Sequence, residues 1–449
     1  MHYSSEAQHR RMTETPLPRL IGSLALPTVA NQLITIIYNT ADTWFVSQIS
    51  TSAAAAVGVV FSLMSIIHAV GYSFAMGAGS MISRHLGAKE DDQARICANS
   101  ALAIAVLCGS LLLIFGLLTL EPLVRLLGAT ETILPHAVDY ASWILIGAPV
   151  MCAANVLGNT LRAEGKAALS TLGLCSGGIL NMILDPIFIF VLKMGIGGAA
   201  IATILSQTVS FLILLWVYLS GKSIVRLGFC WISRNPRIYL QIIKTGMPTF
   251  FRQSMASISS AFMNVQAAAW GGDAAVAAMS ISYKVYLWVR NGVLGIGQGF
   301  MPVAGYNFGA RNYRRVREGF RITCIYGSIL SVTCAVILAV FAEPVLHWFR
   351  DDPEVIRIGT VALRYGCAVM PFLGYSTFVN QLCQCLGFSK QATVLACCRQ
   401  GIFFLPLILL LPMFWGLTGV QLTQPLSDFL TFLVSIPYQI YFFRKYLPQ

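Results

Sequence analysis

Residues 25–32 read ALPTVANQ and residues 246–253 read GMPTFFRQ, two similar stretches separated by 221 residues. The same spacing, to within one residue, relates seven further pairs: Gly87-Ala88-Lys89 with Gly309-Ala310-Arg311, Leu120-Glu121-Pro122 with Ala342-Glu343-Pro344, Asn159 with Asn380, Gly165 with Gly387, Gly195 with Gly416, Gly198 with Gly419, and Leu205-Ser206-Gln207 with Leu426-Ser427-Asp428. A constant offset over so many positions indicates an internal repeat. We predict two copies of one structural unit.

The composition identifies the environment of these units. Of 449 residues, 56% are hydrophobic and only 11% are charged, whereas a soluble domain carries roughly 25% charged residues. Apolar stretches of the length that crosses a bilayer, about 20 residues, recur along the chain. We predict an all-α integral membrane protein with twelve transmembrane helices, at 20–46, 53–82, 95–118, 133–160, 168–192, 197–219, 238–268, 275–305, 317–341, 357–384, 391–413 and 418–442.

Six spans in each copy mean that both copies enter the membrane in the same direction, as in other parallel-repeat transporters. The polar, basic segment 220–237 is the natural divide between them. The predicted organisation is a cytoplasmic N-terminal segment (1–19), an N-lobe (20–219), a cytoplasmic linker (220–237), a C-lobe (238–443) and a cytoplasmic C-terminus (444–449).

Basic residues give the orientation. The chain has 30 Lys and Arg against 18 Asp and Glu, an excess that in a soluble protein suggests nucleic acid but in a membrane protein is typical of cytoplasmic loops. Most of these cations lie in the N-terminus, the C-terminus and the loops after even-numbered spans, for example Arg84, Arg162, Lys222 and Arg315. We expect cytoplasmic termini, a lipid bilayer as the partner of the chain, and no nucleic-acid partner.

Two carboxylates fall inside predicted spans of the first copy, Asp42 in span 1 and Asp185 in span 5. Ionisable groups at the bilayer centre cost about 2.5–3.5 kcal/mol and mark candidate functional sites. Counting the rise of 1.5 Å per residue from the outer ends of the spans places Asp42, Asp185, Thr203 and Tyr140 within about one turn of the same level.

Tyr38, Asn181 and Gln207 each precede or follow one of these residues by four positions, so they share the same helix faces one turn deeper. The result is a predicted two-layer cluster of oxygen atoms that suits either a hard cation or a proton held by one of two neighbouring carboxylates. The alternative is that the two acids are solvated near the outer interface. No acid occupies the matching positions of the second copy, so a role specific to the first copy fits better.

The second copy has its own charged groups inside spans, Arg252, Lys284, Arg290 and Asp428. Either a structural salt-bridged network or a substrate-facing surface accounts for them. In span 1, Pro27 removes a backbone hydrogen bond and is a candidate hinge whose bending could accompany occupancy at Asp42.

Five motifs stand out along the chain: Tyr38-Asn39-Thr40-Ala41-Asp42, Gly87-Ala88-Lys89, Leu161-Arg162-Ala163-Glu164-Gly165, Asn181-Met182-Ile183-Leu184-Asp185-Pro186 and Gly305-Tyr306-Asn307-Phe308-Gly309-Ala310. Taken together, they make the sequence resemble the multidrug and toxic-compound extrusion (MATE) family over essentially residues 15–445. The resemblance implies a V-shaped, two-lobe transporter of the plasma (inner) membrane with a central cavity. It also implies export of small organic compounds, cationic or amphipathic, by antiport with Na⁺ or H⁺.

In MATE proteins with acids in spans 1 and 5, the cation site matches Asp42, Asn181, Asp185 and Thr203 here, with Tyr38 and Tyr140 at neighbouring polar positions. We expect no cofactor besides the coupling ion, and a monomer. A flippase for a lipid-linked precursor, from the same superfamily, is the alternative that the C-lobe cations support. An enzyme has little support, since the sequence contains no zinc-protease motif, nucleotide-binding loop or nucleophile elbow.

Overall fold

The computed structural model describes residues 5–447, apart from the side chains of Ser47, Thr51 and Ala54. Regular secondary structure within that range is helical throughout. The α-helices are α1 (Ser5–Glu14), α2 (Leu17–Ser47), α3 (Thr51–Gly87), α4 (Asp91–Leu118), α5 (Leu120–Leu126), α6 (Leu134–Ala163), α7 (Ala167–Pro186), α8 (Gly195–Leu219), α9 (Pro236–Gly309), α10 (Tyr313–Val340), α11 (Ala342–Phe349), α12 (Pro353–Cys385), α13 (Ser389–Cys397), α14 (Phe404–Trp415) and α15 (Leu417–Tyr446). The predicted all-helical fold is confirmed.

Ten helical stretches of the described chain are long and apolar enough to cross a membrane. Two of them continue through a π-helical turn: α7 extends through Ile187–Val191, and α13 is joined to α14 by Cys398–Ile402. The remaining predicted spans, 238–268 and 275–305, both lie in α9. That helix breaks at Gly272, whose φ of 64° and ψ of −161° are not helical, a conformation that only glycine adopts without strain. The predicted order of spans is therefore retained.

The chain forms two compact units, whose limits lie inside helices rather than in the linker. The first unit comprises the residues up to Thr15 and Ala30–Phe250, and the second comprises Pro16–Val29 and the residues from Phe251 onward. Helix α2 thus changes unit just after Pro27, and α9 changes unit just after Pro248. The repeat extends to this detail, because in each copy the start of the first helix belongs to the unit built mainly from the other copy.

Glycines explain how these helix starts are held. In the first unit, a Cβ at Gly77 of α3 would lie 3.0 Å from the backbone nitrogen of Gly246. In the second unit, a Cβ at Gly299 would lie 2.5 Å from the Cα of Ala25. Positions 77 and 299 are repeat counterparts. Small residues let membrane helices approach backbone to backbone, and here they fix the exchanged starts of α2 and α9.

The segment between α8 and α9 is anchored to the first unit by Glu164, which is fully buried. Its carboxylate accepts hydrogen bonds from the backbone nitrogens of Ile224 at 3.0 Å and Val225 at 3.2 Å, and from the Ser223 hydroxyl. The Lys166 ammonium lies 3.3 Å away. Buried carboxylates need such partners, so the linker is an ordered part of the first unit.

Candidate cation site

Four helices of the first unit carry the predicted cation-binding residues: α2 carries Asp42, α6 Tyr140, α7 Asn181 and Asp185, and α8 Thr203. Small residues bring two of these helices together, since a Cβ at Gly177 of α7 would lie 2.7 Å from the carbonyl oxygen of Ser206 on α8. Close approach of α7 and α8 accompanies a contact between Asn181 of α7 and Thr203 of α8.

Asp185, Asn181 and Thr203 form one hydrogen-bonded group. The Asn181 amide donates to Asp185 Oδ1 at 3.0 Å and lies 3.3 Å from Thr203 Oγ1. The Thr203 hydroxyl donates its own proton to the Ala199 carbonyl at 3.0 Å. Its oxygen therefore faces Asn181 as an acceptor. Asp185 is completely buried, and Asn181 and Thr203 are nearly so.

Asp42 completes the group from α2. Its carboxylate lies close enough to Asp185 and Tyr140 to interact electrostatically with both. Two neighbouring carboxylates repel each other when both are ionised, and a cation or a proton between them removes that repulsion. The structure thus brings together the two acids that the sequence analysis selected.

Three buried oxygens of this site, Asp42 Oδ1, Asp185 Oδ2 and the Tyr140 hydroxyl, have no hydrogen-bond partner among the described residues. Unsatisfied polar atoms in an apolar interior cost free energy. Carboxylate, amide and hydroxyl oxygens are the donors that hard cations prefer, and two of the three unsatisfied atoms are carboxylate oxygens. The residues present therefore fit a small hard cation, and they fit a proton equally well.

The lower predicted layer is present in part. The Tyr38 hydroxyl lies close enough to the Gln207 side chain and to the Asp42 carboxylate to interact electrostatically with both. Gly178 of α7 makes room for the tyrosine, because a Cβ there would lie 2.6 Å from the Tyr38 ring. Asn181, one turn deeper than Asp185 on α7, links the two predicted layers, since residues four apart on one helix face are within direct reach.

A second buried polar group lies in the second unit and centres on Asp428 of α15. Arg399 Nε lies 2.6 Å from Asp428 Oδ1, and Arg399 Nη2 lies 3.4 Å from Oδ2. Gln424 donates to Oδ1 at 2.9 Å, and the Tyr286 hydroxyl donates to Oδ2. We name Tyr286, Arg399, Gln424 and Asp428, together with Arg290 nearby, the Asp428 cluster.

The predicted C-lobe network requires a correction. Asp428 pairs with Arg399, a residue that the sequence analysis did not select, and Lys284 is exposed and takes no part in the Asp428 cluster. Arg290 interacts electrostatically with Asp428 and Arg399. Arg252 is half-buried. The available signal was an arginine within an otherwise apolar predicted span, 391–413.

Both polar groups lie at π-helical turns, which are rare in general and frequent at functional sites. Asp185 directly precedes Pro186 and the turn Ile187–Val191, while Arg399 lies within Cys398–Ile402. In the second turn, the Ser427 hydroxyl donates to the Arg399 carbonyl and the Ser259 hydroxyl donates to the Gln400 carbonyl. The serines satisfy backbone groups that the irregular turn frees.

A repeated helical membrane fold with a pair of neighbouring acids inside its helices defines a class, the secondary transporters built from internal repeats. A family model described as MatE matches residues 27–187 and again residues 248–410. The chain belongs to the MatE family of membrane transporters. The two matches confirm the internal repeat, and the family assigns transport as the role of the chain, with small molecules as its substrates and the bilayer as its surroundings.

Known proteins are similar over almost the whole length. The "Multidrug export protein MepA" of Staphylococcus haemolyticus (strain JCSC1435) is 25% identical over 410 residues, 91% of this chain and 90% of that protein. The protein of the same name from Staphylococcus aureus (strain N315) is 23% identical over 424 residues, 94% of this chain and 93% of that protein.

Two solved structures show the same fold. They are "Crystal structure of MATE in complex with MaL6", which covers 98% of both chains, and "Outward-facing conformation of a multidrug resistance MATE family transporter of the MOP superfamily", which covers 97% of this chain and 98% of the other. Each aligns with a TM-score of 0.93 at 24% identity. The relatives favour export over the flippase alternative.

Proposed function

We propose that this chain is a multidrug efflux transporter that exports small organic compounds, cationic or amphipathic, in exchange for Na⁺ or H⁺. The observation that carries the coupling half of the proposal is the pair of acids, half-buried Asp42 and buried Asp185, each with a buried and unsatisfied carboxylate oxygen. The export half is supported by the multidrug exporters to which the chain is similar along nine-tenths of its length.

The coupling follows from electrostatics. Between two ionised carboxylates, an entering cation gains favourable interaction energy, and the Thr203 oxygen adds a ligand, while the Asn181 amide donates to Asp185 and holds its carboxylate in place. One positive charge moving down a potential of 100 mV supplies about 2.3 kcal/mol, equivalent to a concentration ratio of roughly 50-fold. A single coupling ion therefore suffices to export a substrate without net charge; with a singly charged cationic substrate the exchange is electroneutral, and the concentration gradient of the ion drives it.

The proposed location is the plasma (inner) membrane, with both termini in the cytoplasm and the chain acting as a monomer. The orientation is supported by the basic residues of the linker and of the loops after even-numbered spans. Pro27 is proposed as the hinge of α2, fifteen positions before Asp42 in a continuous helix. Its place beside the boundary between the two units supports that role.

The test is dye efflux from everted vesicles under an imposed sodium or proton gradient. Asp42→Asn and Asp185→Asn should each abolish gradient-driven transport while the protein stays in the membrane. Asp92→Asn is the matched control, because Asp92 is an exposed acid of the same unit, with 70% of its side chain accessible. Normal gradient-driven efflux by both site variants would refute the coupling role, and efflux independent of either gradient would refute antiport.

A further inference from the structure

The Asp428 cluster contains two guanidinium groups and one carboxylate. Asp428 is 1% exposed and Arg399 is 9% exposed, and the pair is bidentate. Arg290 lies four positions after Tyr286 in the part of α9 that follows Gly272, so the two side chains share a helix face, and Arg290 is within electrostatic range of Asp428 and Arg399. The cluster therefore has one more positive charge than negative charge at membrane depth.

Asp428 has no acceptor capacity left for Arg290. Each of its two oxygens already receives two donors: Arg399 and Gln424 on Oδ1, and Arg399 and Tyr286 on Oδ2. A carboxylate offers about four lone-pair sites, so all of them are taken. The negative charge of the cluster is committed to Arg399.

Arg290 has no hydrogen bond and no ion pair with any residue in the described range 5–447. Its side chain is half-buried, so the structure leaves this cation without a counter-charge of its own. A guanidinium facing hydrocarbon is expensive, and its electrostatic neighbours place Arg290 on the polar side of α9. What such a group lacks is an oxyanion acceptor.

We propose that Arg290 is the binding residue for a carboxylate group of the transported molecule. The planar guanidinium fork matches a carboxylate bidentately, and the surplus positive charge of the Asp428 cluster adds long-range attraction. Arg399, held by Asp428, positions Tyr286 through the 3.1 Å contact from its Nη2 to the phenol oxygen. The proposal rests on the proposed export function and narrows its substrates to amphipathic molecules that carry a carboxylate.

Rhodamine B and its ethyl ester form a matched probe pair, since they share the cationic ring system and only rhodamine B carries a free carboxylate. Binding is measured by fluorescence anisotropy on the purified full chain in a neutral maltoside detergent. Hydrogen bonds to charged groups contribute about 1.5–3 kcal/mol, so the wild-type chain should bind rhodamine B at least about tenfold more tightly than the ester.

Arg290→Gln should reduce this preference to within about twofold of unity, and Arg290→Lys should retain an intermediate preference because a point charge replaces the fork. Arg364→Gln is the control: Arg364 is an exposed arginine of the same unit, on α12, and its loss should leave the preference unchanged. Equal binding of the two probes by the wild-type chain, or a preference that survives Arg290→Gln, would overturn the assignment.

Anionic lipid offers the same chemistry from another source. Added phosphatidylglycerol that abolishes the preference, where phosphatidylcholine does not, would show that Arg290 holds a lipid phosphate and would also overturn the assignment. Efflux of the ester from cells separates the two proposals. Normal ester efflux without any carboxylate preference refutes only this inference, and Arg290-dependent binding without efflux refutes only the export function.

Discussion

Asp428→Asn tests whether the ion pair with Arg399 stabilises the second unit. The substitution keeps the size of the side chain but removes its negative charge and turns one acceptor into a donor that faces Arg399 or Tyr286. Arg399 Nε, now 2.6 Å from a carboxylate oxygen, would be left as a buried cation without a counter-charge. The Tyr286 hydroxyl and the Gln424 amide donate to the same carboxylate, so three partners lose a charged acceptor together.

The expected cost is about 3–5 kcal/mol, the usual penalty for removing one partner of a buried pair. An unfolding entropy of roughly 2.1 cal/mol/K per residue, taken over the chain of 449 residues, corresponds to about 1 °C per kcal/mol. Asp428→Asn should therefore lower Tm by about 3–5 °C. If the second unit unfolds separately, the shift in Tm should be about twice as large. The same loss of free energy is then divided by the unfolding entropy of only about half the residues.

The assay is thermal unfolding of the purified chain in detergent at a fixed scan rate, since unfolding of such proteins is rate-dependent. Arg399→Gln should cost a similar amount. The double variant Asp428→Asn with Arg399→Gln should be less destabilised than the sum of the two single variants, because it leaves no buried charge unpaired. A strictly additive double variant, or a shift below 1 °C for Asp428→Asn, would refute the reasoning.

Three further outcomes follow from contacts in the first unit. Glu164→Gln should accelerate tryptic cleavage after Arg226 roughly tenfold, because each charged hydrogen bond to the linker contributes at least about 1.5 kcal/mol; unchanged cleavage kinetics would contradict this. Gly178→Leu should displace the Tyr38 ring, lower stability by about 1–3 kcal/mol and impair dye efflux, whereas wild-type efflux and Tm would show that the ring is dispensable. Arg125→Gln should change Tm by less than about 2 °C, since its two ion pairs are exposed and each such pair contributes at most about 1 kcal/mol; a larger shift would reveal a structural role.

The sequence was sufficient to predict the helical membrane fold and the residues of the acid pair. The length of an apolar stretch decides whether its helix can cross the membrane, and reading that length from the sequence requires no knowledge of tertiary contacts. Asp42 and Asp185 could be placed at one level because both spans run in the same direction, and helical rise then converts sequence position into depth. The hydrogen bonds from Asn181 to Asp185 and Thr203 were not predicted, since depth arguments resolve whole turns but not the reach of a side chain.

Two features could not be predicted from the sequence: the exchange of the starts of α2 and α9 between the two units, and the pairing of Asp428 with Arg399. Gly77 and Gly299 are visible in the sequence, but the backbone that each one meets, near Gly246 and Ala25, depends on tertiary contacts. Arg399 lies 29 positions before Asp428 on another helix, and no periodicity relates the two. Long-range pairing of this kind is a property of the folded chain.

The exchanged starts impose an order on biosynthesis. Residues Pro16–Val29 belong with a unit whose remaining residues begin at Phe251, so the ribosome adds roughly 220 residues before the later neighbours of this segment exist. At translation rates of about 5–20 residues per second, that delay lasts roughly 10–45 s. The first long helix to leave the ribosome is thus among the last to acquire its permanent neighbours, and until then its N-terminal part must be covered by lipid or by the insertion machinery.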